Sequence, residues 1–253
     1  MAERRGASSP KNVPAEIRAQ LEAGTLETAT LAESLAVNLF TLLRNVAEDA
    51  PIDDWEREFG DQKIVGRTSG IGRRLAEQFG ESAITRFGKH SSDLVRGWVP
   101  FVIAAIPGWS LEQRLMHLQP LADDPHFGVR EWAWMAMRPH LAEDLPTAIR
   151  LLTSWTAHPS ANVRRFAVEA TRPRGVWCAH LTALKDDPEP GRVLLDPLYA
   201  DPTKYVQDSV ANWLNDAAKS APNWVRALTA DWLTRSDAPA TARIVKRALR
   251  SLD

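Results

Sequence analysis

Apolar residues recur at spacings of three and four along nearly the whole chain, as in Leu31-Leu35-Leu39-Leu42 and Trp224-Leu228-Trp232. That period gathers them on one face of an α-helix, and the alternation expected of half-buried strands is nearly absent. Between the periodic stretches lie short breakers: Asp123-Asp124-Pro125, His158-Pro159-Ser160 and Asp201-Pro202-Thr203. Each supplies a residue able to cap a helix and a proline near a helix start. A further helix is predicted at about Pro14 to Ala23, closed by Gly24.

The breakers belong to an internal repeat. Asp124-Pro125-x-x-x-Val129-Arg130 recurs as His158-Pro159-x-x-x-Val163-Arg164 and as Asp201-Pro202-x-x-x-Val206-Gln207, with a weaker copy at Ser92-Asp93-Leu94-Val95-Arg96. The valines at 95, 129, 163 and 206 are separated by 34, 34 and 43 residues, and Arg138-Pro139 and Arg172-Pro173 follow their valines at the same distance. Helix pairs repeating at this period specify an all-α fold, an α-solenoid: a right-handed superhelix of HEAT-like repeats with a concave groove. The longer last step implies an insertion around Thr171 to Asp187, where Arg-Pro-Arg-Gly breaks the helix. A disordered arm is expected over residues 1–12 and a single repeat domain over 13–253. Gly66-Arg67-Thr68-Ser69-Gly70-Ile71-Gly72 lacks the spacing and context of a phosphate loop and reads as a helix–helix turn, followed by the surface pair Arg73-Arg74.

Rotation by about 100° per residue sorts each repeat's second helix into faces. Around Val163, the residues Phe166, Ala167 and Ala170 form the buried stripe, while Arg165, Glu169 and Arg172 lie opposite. The same opposite row holds Glu131, Met135 and Arg138 in the preceding helix, and Asp208, Asn212, Asn215, Asp216 and Lys219 in the following one. Trp132 and Trp213 fall on core-side phases. Stacked side by side, the second helices would carry Glu131, Glu169 and Asp216 across the groove on a diagonal, set among Arg164, Arg165, Arg172, Arg174 and Lys219. Two readings fit such a face. It is a salt-bridge lattice on a solvated surface, or a groove in which cations hold phosphates and carboxylates face an electron-deficient group.

Composition narrows the class. Charged residues make up 25% of the chain, with 31 Lys and Arg against 32 Asp and Glu, so any nucleic-acid surface must come from local concentration of cations. The single cysteine, Cys178, excludes an internal disulfide framework and a multi-cysteine zinc site. The six histidines have no ligand spacing, and neither metal nor cofactor is expected. No apolar run is long enough to span a membrane. A cytoplasmic monomer is expected.

Three ordered blocks then carry a family resemblance. Val163-Arg164-Arg165-Phe166-Ala167-Val168-Glu169-Ala170-Thr171-Arg172-Pro173-Arg174-Gly175-Val176-Trp177 resembles the Val-Arg-Arg…Glu-Gly-Thr-Arg-Pro-Arg-Leu-Pro-Trp signature of AlkC-type DNA glycosylases. Tyr205-Val206-Gln207-Asp208-Ser209-Val210-Ala211-Asn212-Trp213-Leu214-Asn215-Asp216-Ala217-Ala218-Lys219 is similar to that family's Tyr-Val-Arg-Arg-Ser-Val-Ala-Asn-x-Leu-Asn-Asp-Ile-Ala-Lys. Before both, Arg130-Glu131-Trp132-Ala133 leading to Arg138-Pro139 matches its Glu-Phe-Ala…Arg-Pro segment. The resemblance covers roughly residues 90 to 235.

The resemblance implies a base-excision repair enzyme acting on duplex DNA that carries alkylated bases. It would remove cationic bases such as 3-methyladenine or 3-methylcytosine by hydrolysis, with no lyase step and no base-flipping pocket. It makes Glu169, Asp216 and Glu131 the candidate catalytic acids, with Trp177 and Asn212 as substrate contacts. Arg138, Arg164, Arg165, Arg172, Arg174 and Lys219 become the candidate DNA contacts. The chemistry suits these residue types, because loss of a cationic base leaves an oxocarbenium-like sugar that carboxylates stabilise, and an indole face favours a cation. The chain departs from the pattern at Gln207-Asp208, where the family has a basic pair, at Ala170 for glycine, and at Gly175-Val176 for Leu-Pro. The alternative function is a non-catalytic HEAT-repeat scaffold that binds DNA or protein through the same face.

Overall fold

The computed structural model describes residues 4–252, which contain helices and no strands. Two compact units divide the chain, one running through Ala136 and the other from Met137 on. The first holds α1 (Ala15–Glu22), α2 (Leu31–Ala36), α3 (Leu39–Val46), α4 (Ile52–Phe59), α5 (Ile64–Phe79), α6 (Ser82–Phe87), α7 (Asp93–Arg96), α8 (Val99–Ala105), α9 (Leu111–Ala122) and the start of α10 (Phe127–Glu143). The second holds the end of α10, then α11 (Leu145–Thr153), α12 (Ala161–Glu169), α13 (Thr182–Asp186), α14 (Arg192–Leu195), α15 (Lys204–Ala218), α16 (Pro222–Arg235) and α17 (Pro239–Ala248).

In the first unit the glycine-rich stretch is not a turn. It lies within α5, a 16-residue helix. Its glycines serve close packing: a Cβ on Gly72 would stand 2.4 Å from Phe101 Cβ and 2.7 Å from the Trp98 carbonyl, and one on Gly70 would meet the Phe59 ring at 2.9 Å. The backbone of α5 therefore rests directly on α8 and α4. The Arg73-Arg74 pair bonds Glu58, with Arg74 also reaching Glu77. The Leu31-Leu35-Leu39-Leu42 period spans two helices, because the Asn38 side chain accepts the amides of Phe40 and Thr41 and restarts the helix there. Leu39 and Leu42 are buried, whereas Leu31 and Leu35 are exposed.

Residues 1–3 of the expected disordered arm lie outside the described residues. The described remainder is fixed to the unit. Arg4 forks onto both oxygens of Glu33, at 2.6 and 2.7 Å, and a 3-10 turn follows at Pro10–Asn12. The Arg4 hydrogen bond draws the buried Glu33 carboxyl down to about 2, against the opposing effect of burial.

The four repeat-mark valines, Val95, Val129, Val163 and Val206, are fully buried. At three of the marks the following residue is an arginine that donates to the carbonyls of the turn just before its helix. Arg96 bonds His90 and Ser91, Arg130 bonds Asp124 and Pro125, and Arg164 bonds His158 and Pro159. Arg96 and Arg164 also grip the aspartate of the next repeat's breaker, Asp124 and Asp201, through Nε at 2.8 and 2.7 Å. Gln207 stands in this place in the last copy, donating to the Asp201 carbonyl at 2.8 Å. The breaker motif thus encodes the joint between successive repeats.

In the second unit α15 packs against α12 on one side and α17 on the other. That double contact buries residues expected on an open face, among them Arg165, Asn215 and Asp216. Asn215 spends its amide on the Ala248 carbonyl and Ser251 at the end of α17. Trp213 is fully buried and donates its indole N–H to the Thr171 carbonyl at 2.9 Å.

Candidate active site

The site forms where α12 ends. Ser160 caps its start, and its last residue is Glu169, beyond which Thr171 Oγ1 bonds back to Ala167 and Val168 and Pro173 prevents continuation. Arg138, fully buried on α10, then holds the departing chain with three bonds, to the carbonyls of Ala170 at 3.0 Å, Arg172 at 2.6 Å and Ala179 at 2.9 Å. This turn aims Glu169 and Arg172 at α15.

Arg172 bridges the two acids. Its Nη1 donates to Glu169 Oε1 at 2.7 Å, while Nε and Nη2 meet Asp216 Oδ2 at 2.9 and 2.8 Å. Glu169 Oε2 accepts from Ser209 Oγ at 2.6 Å and has Arg165 Nη2 at 3.7 Å. Asp216 Oδ1 faces the half-exposed Lys219 ammonium at 3.3 Å. Glu169 and Asp216 are each 4% exposed. Burial pushes the Glu169 carboxyl up, but the charges of Arg165 and Arg172 and the bonds from Ser209 and Arg172 outweigh it, and the group is held below the ordinary carboxylate range. Burial likewise opposes the charge on Arg172, and the two carboxylates more than restore it. The outcome is a buried pair of acids in a setting of three cations.

Beside the pair, the chain from Thr171 to Leu181 makes a loop closed by Leu181 N–H on the Pro173 carbonyl at 3.0 Å. Gly175 is required by closeness, since a Cβ there would lie 2.4 Å from the Cys178 carbonyl. Trp177 is 54% exposed at φ 65°, the only non-glycine with positive φ among the described residues. An αL conformation in a bulky residue stores strain of about 1–3 kcal/mol and marks a place for function to be sought. Cys178 is half-buried, and burial pushes its thiol up, away from nucleophilic use.

Several of the expected DNA contacts have partners within the protein. Arg138 and Arg164 are engaged inside the second unit, in the loop and the repeat joint described above. Arg165 stacks on the Tyr205 ring, 4.4 Å from its centroid, and with Arg172 it serves the acids. Arg174 donates to the Asp216 carbonyl at 3.1 Å. Gln207, a departure from the family's basic pair, is buried in the joint and offers nothing to solvent. Asn212 accepts from Arg250 at 3.0 Å. Glu131 belongs to the first unit, where it is half-buried and accepts the Trp134 indole N–H at 2.7 Å.

The sequence reading missed α17. Arg243, Lys246, Arg247 and Arg250 fall within about 100° of arc on and just beyond it, and Arg243 and Arg247 reach Asp208 on α15 at 2.7 and 3.1 Å. The i, i+3, i+4, i+7 spacing of these cations was the available signal. Among the described residues no three His, Cys, Asp or Glu side chains cluster as metal ligands, and no helix is long and apolar enough to cross a membrane.

Fold and site together define a HEAT-like helical-repeat protein whose buried acid pair is built at the joint of two repeat helices. Residues 129–252 match the family described as DNA alkylation repair enzyme. Over 117 residues the chain is 40% identical to the uncharacterized protein YhaZ of Bacillus subtilis (strain 168), covering 46% of this chain and 32% of that protein. Among solved structures it is similar to the Pseudomonas fluorescens alkylpurine DNA glycosylase AlkC bound to DNA containing an abasic site analog, at 25% identity and a TM-score of 0.68, over 83% of this chain and 59% of that one. AlkD2 from Streptococcus mutans shares the fold at 18% identity and a TM-score of 0.60, over 78% and 95% of the two chains. The chain thus spans about a third of YhaZ and about three-fifths of the AlkC chain. The family match thus lies in residues 129–252, just under half of the chain, and the likeness to AlkC extends over 83% of the chain.

Proposed function

We propose that this protein is a DNA glycosylase that hydrolyses the N-glycosidic bond of cationic N3-methylated bases, 3-methyladenine and 3-methylcytosine, in duplex DNA. It acts as a monomer, without a lyase step and without a base-flipping pocket. The observation that carries this reading is the buried pair Glu169 and Asp216, bridged by Arg172 beside the exposed Trp177.

A methylated base already carries positive charge, so it leaves C1′ as a neutral molecule without help from a general acid. The charge that develops on the sugar is what needs stabilising, and preorganised carboxylates in a dry site do this well. Water then bonds to C1′ and passes its proton to Asp216, the acid whose Oδ1 faces the half-exposed Lys219. The Trp177 face attracts the cationic nucleotide. Phosphates are held by Arg174, Lys219 and the basic stripe of α17, in place of Arg138 and Arg164.

The test is release of free methylated base from alkylated duplex DNA by the purified chain, followed by chromatography. Asp216→Asn is expected to lower release about 10²–10³-fold, the usual scale for one electrostatic group in a preorganised site, while binding of abasic duplex persists. Binding with no base release by the wild-type chain would instead support the scaffold reading.

A further inference from the structure

The four oxygens of the acid pair are not equivalent. Glu169 Oε1 and Asp216 Oδ2 are both spent on Arg172, and Glu169 Oε2 on Ser209. Only Asp216 Oδ1 faces a half-exposed partner, the Lys219 ammonium at 3.3 Å. On this geometry both Glu169 oxygens are bonded within the protein and the group is buried, so its influence runs through Arg172.

Ser209 is what fixes that arrangement. It lies two turns before Asp216 on the same face of α15, is 2% exposed, and crosses to α12 to donate to Glu169 at 2.6 Å. A buried helical hydroxyl usually bonds back to a carbonyl one turn earlier, as Thr171 and Thr229 do here with Ala167 and Val225. Ser209 gives its proton to a carboxylate on another helix instead. Beside it, Arg165 Nη2 stands 3.7 Å from Oε2, beyond hydrogen-bond range. Without the Ser209 hydroxyl, Glu169 would swing toward Arg165 and draw Arg172 away from Asp216.

We infer that Ser209 is a positioning residue for base release: it locks Glu169 so that Arg172 holds Asp216 with Oδ1 turned to the substrate. The inference rests on the glycosylase reading. Ser209→Ala, close in volume, is expected to lower kcat for base release about tenfold with KM within about twofold, the scale of one charge-assisted hydrogen bond. Glu169→Gln should retain measurable single-turnover release, and adding Ser209→Ala to it should cost less than about twofold more, because both changes cut one line of action. Ser209→Cys, nearly isosteric and a weak donor, should fall on the same side as alanine, and it decides the matter if thermal unfolding shows the alanine variant to be unfolded. Wild-type kcat in Ser209→Ala with only a lowered melting temperature overturns the inference, as does an undiminished tenfold loss in the Glu169→Gln background. Abolished release in Glu169→Gln alone also overturns it. Failure of the wild-type chain to release any base overturns the glycosylase reading itself, and this inference with it.

Discussion

Trp177 is held against its own backbone preference. A side chain at φ 65° costs an L-residue about 1–3 kcal/mol, and little packing compensates, since the residue is 54% exposed. The closed loop imposes the conformation: Arg138 anchors one carbonyl at each end, Leu181 closes on Pro173, and Gly175 takes the tightest approach. Trp177→Gly and Trp177→Ala both remove the indole, but only glycine relieves the strain. The glycine variant is therefore expected to be about 1 kcal/mol more stable than the alanine variant in urea unfolding, while both lose the same share of affinity for alkylated duplex. Equal stability of the two would mean that the loop relaxes out of the left-handed region without the ring. The sequence gives no hint of this strain, because it arises from where the loop ends are pinned and not from any local preference of Val176-Trp177-Cys178.

At the scale of elements, the repeat marks were legible and their purpose was not. The spacing of Val95, Val129, Val163 and Val206 gives the helical repeat directly, because a fully buried valine on each second helix is a requirement of stacking. The adjacent arginine at 164 was expected to contact DNA, since helical phase alone cannot tell an open face from a neighbouring helix. Arg164 shows the difference: it joins its own turn to Asp201 of the next repeat, and Asp201 is 6% exposed. Arg164→Ala would leave that carboxylate buried without its partner and is expected to cost about 3 kcal/mol in urea unfolding. Lysine should recover only part of this, because one ammonium cannot reproduce the guanidinium fork that reaches both turns. If Arg164→Ala weakened DNA binding at unchanged stability, the joint would be secondary and a phosphate contact primary. The acid pair was half legible for the same reason. Glu169 and Asp216 stood out by motif and phase, but what makes them a pair is the contact between α12 and α15 bridged by Arg172 and Ser209, which helical phase alone does not give.

At the scale of the whole molecule, a net charge of −1 conceals a separation. Sixteen Lys and Arg stand against thirteen Asp and Glu from Met137 on, and fifteen against nineteen before it. The second unit is thus the cationic one, although much of its arginine is consumed internally by Glu169, Asp216, Asp201 and backbone carbonyls. Lys246 and Arg250, near its end, are among the cations that face solvent. Arg250 is lowered from its ordinary value by partial burial and by the like charges of Arg247 and Arg172, so the stripe and the acid pair share one field. A phosphate backbone brought to that field would relieve the repulsion among these cations. Each phosphate neutralised by a cation contributes about 0.9 to the slope of log affinity against log salt. Replacing Lys246 and Arg250 together with alanine is therefore expected to flatten that slope by about two for duplex DNA of any sequence, with base release at saturating enzyme unchanged. A slope unaltered by the double variant would remove α17 from the interface and confine phosphate contact to Arg174 and Lys219 beside the acid pair.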